Sequence, residues 1–351
     1  MKILIVGYDY FHYAQSLVNA CQLLGHEATR LQVRNFSEVE KSRWRVRAVK
    51  LGLKHLEKTY KETQEQNFIA FADAFQPDIC IVLNGNCVGT GFLSAMKQRG
   101  IQLILFMIDS LQENDYKKFA GQLPNYDRLF SYESTDRTAY PEYDIRYLFI
   151  GYDETIFYPE IGCRQDIDIS FIGLLDKGRM AALEKIAEYA ARNNKTFFVH
   201  TKPYKERHIV HKIKNHFKRK KFRQEYPFLS KFLFDSLVVN NNLADVYRRS
   251  KICINIHKDH GCHTDANPRT FEILGCQSLQ LVDAGHLNRL TLENGKHLVE
   301  CTDAEDFCQK VEYYLTHDGA RESIAAAGQQ TVAGQYRMRD TVSVLLDNIK
   351  N

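Results

Sequence analysis

One stretch limits what this chain can fold into more than any other. Ile252-Cys-Ile-Asn-Ile256 is short and nearly all apolar, as a parallel strand covered on both faces must be. A polar loop follows, then Asn267-Pro268, then a second apolar run, Leu279-Gln-Leu-Val282. Asn267 is a good N-cap and Pro268 a good first helical residue, so a helix is predicted to open there. The result is a strand–helix–strand unit, which belongs in a parallel sheet. Arg269 and Glu272 fall in the first turn of that helix, three residues apart on one face. A helix N-terminus at the carboxyl edge of a parallel sheet attracts anions, because unpaired N–H groups and the helix dipole point outward there. Arg269 adds a forked cation and Glu272 an acceptor for ligand hydroxyls. The competing reading is a local ion pair on the helix surface.

Strand–helix alternation runs through the whole chain. The N-terminal half gives strands at Lys2–Val6, Glu27–Leu31, Ile79–Leu83, Gln102–Ile108, Arg128–Tyr132 and Arg146–Ile150. A fresh series starts at Ile167–Gly173 and continues through Thr196–His200, Lys251–Ile256, Leu279–Val282 and His297–Glu300. Amphipathic helices lie between them, so the fold class is α/β with doubly wound parallel sheets. At ~150 residues per domain, 351 residues make about two. The break falls in Gly151–Asp166, which holds Pro159. Two Rossmann-like domains facing across a cleft are therefore expected: 1–155, then 156–335, with 336–351 a helix packing back on the first.

Nine cysteines are scattered without framework spacing, several inside apolar runs, which points to reduced buried thiols. Met1-Lys2 runs directly into a strand, so no signal peptide is expected, and no apolar run reaches transmembrane length. The expected location is the cytoplasm. Net charge is only +4, but the cations cluster. Lys41–Lys58 carries seven Lys/Arg against Glu57. Read as one helix, it sets Val46, Val49, Leu53 and Leu56 on one face and Arg43, Arg47, Lys50, Lys54 and Lys58 opposite, with Trp44 and Leu51 at the edge. Such a face suits an anionic membrane surface, placing the protein peripherally at the inner side; the alternative is an ordinary helix with its lysines in water. Lys202–Arg223 carries ten Lys/Arg against Glu206. No nucleic-acid-binding signature accompanies it, and nucleic acid is not an expected partner.

The region 255–283 resembles the Arg-x-Phe-Glu-x-x-x-x-Gly motif of GT-B glycosyltransferases, in particular the CgeB-like branch of glycosyl transferases group 1, through Arg269-Thr-Phe-Glu272-Ile-Leu-Gly-Cys-Gln277. Asp168-Ile-Ser-Phe-Ile-Gly173, Tyr126–Ser131, Ile145–Asp153, Phe157–Pro159, Asn294–Val299 and Asp303–Phe307 agree in order, so the resemblance extends from about Leu103 onward. It implies transfer of a sugar from a nucleotide-sugar donor to an acceptor hydroxyl, with the donor on the C-terminal domain and no metal or other cofactor. Glu272 matches the family's ribose-binding glutamate. Two departures stand out: Gln277 replaces the glycine ending the motif, and Thr264 replaces the first glutamate of paired-glutamate relatives.

Further donor-side candidates follow from position. Gly173 and Lys177 lie after the strand that opens the second series, with Arg179 as a second cation, and Lys202 lies after Thr196–His200. His257 and Lys258 open the polar loop before Asn267. His-x-x-His-x-Cys-His in that loop fits no common zinc spacing. On the acceptor side, Asp109 and His12 are candidate bases, each after a strand, with a helix cap and a packed surface ring as the plain alternatives. Gly7–His12 lacks the second glycine of a dinucleotide loop. Asn84–Asn86 and Gly89–Gly91 either line a pocket or form turns. The acceptor is open among glycan, lipid-linked sugar, protein and small molecule. Two other functions stay in view: a nucleotide-sugar epimerase of the same fold, and a non-catalytic scaffold holding an anionic partner.

Overall fold

The computed structural model describes residues 1–8, 12–34, 39–40, 42–201, 220–234, 241–257 and 265–347. Lys202, Lys258 and most of the second basic segment lie outside these. The chain forms two compact units, Met1–Ile150 with Met338–Asn351, and Gly151–Arg337. The elements of the first half are β1 (Lys2–Gly7), α1 (Tyr13–Leu23), β2 (Glu27–Gln32), α2 (Arg43–Lys50), α3 (His55–Phe75), β3 (Ile79–Leu83), α4 (Thr90–Gln98), β4 (Gln102–Met107), α5 (Asn114–Lys117), β5 (Arg128–Ser131), α6 (Asp136–Ala139) and β6 (Ile145–Tyr147). The second half gives β7 (Ile167–Ile172), α7 (Lys177–Arg192), β8 (Phe197–His200), β9 (Leu233–Phe234), α8 (Asn241–Arg249), β10 (Ser250–Asn255), α9 (Pro268–Gly275), β11 (Leu279–Asp283), β12 (Val299–Cys301), α10 (Ala304–Thr316) and α11 (Asp318–Gln335); α12 (Met338–Leu346) follows.

The first unit is a parallel sheet in the order β2-β1-β3-β4-β5-β6. Successive strand residues point to opposite faces, and each face has its own core. Leu4, Val6, Cys80 and Val82 pack with Phe68 and Ala72 of α3 and Phe92, Leu93 and Met96 of α4. Ile3, Ile5, Ile79 and Ile81 pack on the other side with Leu17, Val18 and Cys21 of α1. Met338, Val342 and Leu345 complete that second layer, so the last helix belongs to the first unit's core.

The second unit is a parallel sheet in the order β12-β11-β10-β7-β8-β9. The chain leaves β7 towards β8 and β9, then returns to β10 on β7's other side. Strand order reverses there, at β7 and β10, which is the position where open parallel sheets take their ligands. One face of β7 and β10 is filled by Ile169, Phe171, Ile252 and Ile254 against Leu183, Ile186 and Ala187 of α7 and Phe307 and Val311 of α10. Among the described residues no helix is long and apolar enough to cross a membrane.

The helix read across Lys41–Lys58 is two. α2 ends at Lys50, and Gly52 adopts φ 110°, a conformation open to glycine and costly for other residues. Gly52 N donates to Val49 O and Leu53 N to Ala48 O, the double bond pattern of a Schellman C-cap. α3 starts afresh at His55. The predicted five-cation stripe therefore does not run along one continuous helix.

α9 ends in the same motif: Gln277 N donates to Leu274 O at 2.9 Å and Ser278 N to Ile273 O at 3.4 Å. Gln277 takes the left-handed position, φ 59°, that glycine normally fills. Its departure from the family pattern thus concerns the end of the helix, not its start. Gln277→Gly is expected to stabilise the protein by about 0.5–1 kcal/mol, since relief of left-handed strain outweighs the added freedom of the unfolded chain. Urea denaturation checks this; a loss of stability would show that the Gln277 side chain holds something.

Candidate functional site

The carboxyl edge of β7, β10 and β11 brings the main residues together. Its framework is a pair of side-chain amides. Asn267 Nδ2 donates to Asn255 Oδ1 at 2.9 Å, and Asn255 Nδ2 donates back to Asn267 Oδ1 at 3.1 Å and to Thr270 Oγ1 at 3.2 Å. Asn267 holds the N-cap position of α9, with Pro268 following, yet makes no side-chain cap bond. The side chain that would close the helix start is diverted to β10, so Asn267 does not cap the terminus, a position suited to an anion.

Arg269 stands in the first turn of that helix. Its Nη1 is buried and has no hydrogen-bond partner among the described residues. An unpaired buried guanidinium nitrogen is costly, and an anionic ligand relieves the cost. Gly173, after β7, permits the approach: a Cβ there would sit 3.2 Å from Arg269 Nη1.

Arg179 plays a different part from the phosphate-facing one its position predicts. It is buried in the first turn of α7, with Nε donating to Ile256 O at 2.9 Å and Nη1 to Leu174 O at 2.8 Å. One guanidinium thus ties the loop after β7 to the loop after β10. Burial, with the Arg269 charge beside it, pulls its pKa down to about 10, so it remains a cation at neutral pH. Lys177 is the first residue of α7 rather than part of the preceding loop, and is exposed. The N-terminus of α7 is closed by Asp176, whose Oδ1 accepts from Arg179 N at 3.0 Å.

His257, expected to face a ligand, has both ring nitrogens engaged within the fold. Nδ1 lies 2.7 Å from Asp283 Oδ1, and Nε2 accepts from Asn267 N at 3.1 Å. Those partners assign the ring proton to Nδ1 and leave the ring neutral; burial lowers its pKa to about 4 against the pull of Asp283. His286 stacks on it at 3.6 Å between centroids and reaches Asp283 Oδ2 at 3.3 Å. Burial opposes the Asp283 charge, but hydrogen bonds from both histidines hold that carboxyl well below the usual range. The ligand atoms of His257, Asp283 and His286 fall within 4.8 Å of one another, close enough for a cation. The Asn267 N–H on Nε2 argues for a hydrogen-bonded triad, because metallation at Nδ1 would place a proton on Nε2. Its effect is to hold the N-cap residue in place from a second side.

Glu272 is buried one turn into α9, and no described group hydrogen-bonds its side chain. Burial raises its pKa to about 7, although the Arg269 charge works the other way. Tyr247 of α8 is fully buried near it; burial and the Glu272 charge push the phenol well up, and its hydroxyl has no described partner. Tyr247, Asn255, Asp283 and His286 were not singled out from sequence. One signal was available: His257 and Asp283 are each the first polar residue after an apolar run, and the structure pairs those two strands in register.

In the first unit, Asp109 follows β4 and its Oδ2 accepts from Asn84 Nδ2 and Tyr116 Oη, both at 2.8 Å. Asn84 Oδ1 in turn accepts from the N–H groups of Ile108 and Asp109. His12 precedes α1 in the left-handed region, φ 63°, which a histidine adopts at a cost of about 1 kcal/mol or more. Gly89 and Gly91 lie against the Glu65 carboxylate, which accepts from Phe92 N and closes the start of α4. That helix terminus already has its anion. Another carboxylate, Asp136, is wholly buried and accepts from Ser110 Oγ, Ser131 Oγ and Leu111 N, joining the ends of β4 and β5.

Residues 186–347 match a family described as glycosyl transferase-like. No curated protein matches the sequence at a significant level. Several solved structures resemble the chain over its whole length. Sucrose-phosphate synthase from Thermosynechococcus elongatus aligns with a TM-score of 0.65 at 10% identity, covering 98% of this chain and 97% of that one. Anabaena HepE in complex with UDP and glucose gives 0.66 at 10%, covering 99% and 100%. UDP-GlcNAc 2-epimerase from Neisseria meningitidis bound to UDP-GlcNAc gives 0.59 at 11%, covering 99% of each. The fold is GT-B, two Rossmann-like α/β units in one chain.

The raised pKa of Glu272 makes stability depend on pH. The folded state binds this proton more tightly than the unfolded chain, near 4.5, so the contribution is complete below pH 4.5 and lost as pH rises through about 7. The loss amounts to roughly 3 kcal/mol. Glu272→Gln should remove this slope, so denaturation from pH 5 to 8 should show wild type falling relative to the variant. Parallel curves would place an ordinary carboxylate at 272.

Proposed function

We propose that the chain is a glycosyltransferase taking a nucleotide-sugar donor on its C-terminal unit and transferring the sugar to an acceptor hydroxyl. The observation that carries this reading is the buried, unpartnered Nη1 of Arg269 at the uncapped start of α9, with Glu272 one turn on. The donor diphosphate occupies the open terminus, held by N–H groups, the helix dipole and Arg269. When the glycosidic bond to phosphate breaks, negative charge grows on the leaving diphosphate, and a preformed cation in a shielded site stabilises that charge most. Gly173 leaves room for the backbone of the β7 loop to approach the ligand. Glu272, ionised, accepts from the ribose hydroxyls. Asn267 and His257 hold the terminus in shape, and Lys177 adds positive potential at the neighbouring helix start.

A nucleoside diphosphate of uracil is the first donor to test, since HepE and the epimerase are described with UDP or a UDP-sugar. The glycosyl transferase-like match over residues 186–347 supports sugar transfer. The ordered motifs around Arg269–Gln277 favour the CgeB-like branch. Asp109 and His12 remain the acceptor-side candidates for proton abstraction. Asp109 Oδ2 accepts from Asn84 Nδ2 and Tyr116 Oη, which fixes the orientation of its carboxylate.

Calorimetric titration with UDP provides the test. Wild type should bind; Arg269→Met should weaken binding by about 10–100-fold, as loss of a charged hydrogen bond requires, and Glu272→Ala should weaken it comparably. Incubation with a UDP-sugar alone should give slow hydrolysis to UDP and free sugar. A C2-epimerised nucleotide sugar as product would make the protein an epimerase. Failure of every nucleoside diphosphate to bind at millimolar concentration would remove the reading.

A further inference from the structure

The break at Gly52 creates a feature that donor chemistry does not use. Where a single helix was expected, the chain turns between α2 and α3 and presents an apolar tip. Leu51 is 88% exposed, Leu53 52% and Trp44, the only tryptophan in the chain, 68%. In a Schellman motif the residue after the left-handed position commonly packs back on the helix's last turn, yet Leu53 remains half in solvent. Three large apolar side chains held in water within ten residues form a contact surface rather than scatter.

The charges around the tip are unbalanced. Arg45 pairs with Glu40 at 2.8 Å, Lys61 with Glu57 at 3.0 Å and Lys58 with Glu62 at 3.8 Å. Arg47 and Lys54 are exposed, and among the described residues neither has an ion-pair partner. They lie to either side of the Leu51–Leu53 turn. Exposed leucines flanked by free cations, with an indole at the edge, match the layering of a bilayer surface. Aliphatic side chains enter the acyl boundary, tryptophan sits at headgroup level and cations meet anionic phosphates. Nucleic acid would supply the phosphates but no apolar phase for Leu51 and Leu53.

We propose that the turn between α2 and α3 is a docking surface for an anionic phospholipid membrane, with Leu51, Leu53 and Trp44 entering the interface and Arg47 and Lys54 contacting headgroups. Each such cation near an anionic surface favours binding roughly five-fold. This assignment is independent of the donor site and stands or falls separately from it.

The test uses the full chain with vesicles of phosphatidylcholine, alone or mixed equally with phosphatidylglycerol. Trp44 is a built-in probe, because it is the only indole. Protein should co-sediment with the anionic vesicles, its emission should shift to the blue, and both effects should fade with added salt. The double variants Leu51→Glu/Leu53→Glu and Arg47→Glu/Lys54→Glu should each bind at least about 10-fold more weakly, with unchanged circular dichroism and melting temperature, since all four sites are exposed. The proposal is overturned by absence of binding, by equal binding to neutral vesicles, or by co-sedimentation without a Trp44 shift. Wild-type binding by both double variants would do the same.

Discussion

The reciprocal amide pair between Asn255 and Asn267 is the constraint on which the site depends. It joins the end of β10 to the start of α9 and removes the side chain that would otherwise close that helix. Three helix starts in this protein show the difference. Glu65 closes α4 and Asp176 closes α7, whereas the N-cap side chain of α9 makes no cap bond. The His257–Asp283 pair holds Asn267 from the other side through its backbone N–H. A terminus held rigidly from two strands has its dipoles oriented before any ligand arrives, so little reorganisation remains for binding.

Around that terminus the two arginines divide their duties. Arg179 has carbonyl partners on both flanking loops and serves as a strut; Arg269 has a buried Nη1 with no partner among the described residues, the group proposed to receive the donor diphosphate. The strut's charge also makes the receptor's harder to satisfy within the protein, since like charges so close raise the demand for an anion. Glu272 lies at the boundary between charge states for a related reason: burial opposes its ionisation, and nearby Arg269 offsets that only in part. A ligand donating hydroxyls would tip it to the anion.

Much of this was legible in sequence because the signals were local. Strand positions follow from apolar runs, and the start of α9 at Asn267-Pro268 follows from cap chemistry. The placement of Arg269 and Glu272 on one turn follows from helical spacing. What escaped depends on long-range partners. Asn267 has the composition of a cap, but only the fold shows that Asn255 claims its side chain. His257 read as a ligand-facing polar residue until Asp283, twenty-six positions on, came beside it. Arg179 read as a free cation because its carbonyl partners lie on two separate loops. The failure at Lys41–Lys58 was local and avoidable: Gly52 lies mid-pattern, and a glycine there is a helix end as readily as a helix interior.

The central claim is that Glu272 accepts from a nucleotide's hydroxyls as an anion in a site where it is otherwise half protonated. Proton linkage reads this directly. Titrating UDP-glucose, whose doubly esterified diphosphate has no ionisation near pH 6.5, into the protein at that pH in buffers of different ionisation enthalpy should show release of on the order of half a proton per site. Release should vanish in Glu272→Gln. Binding with no proton release from wild type, or with equal release from the variant, would contradict the account.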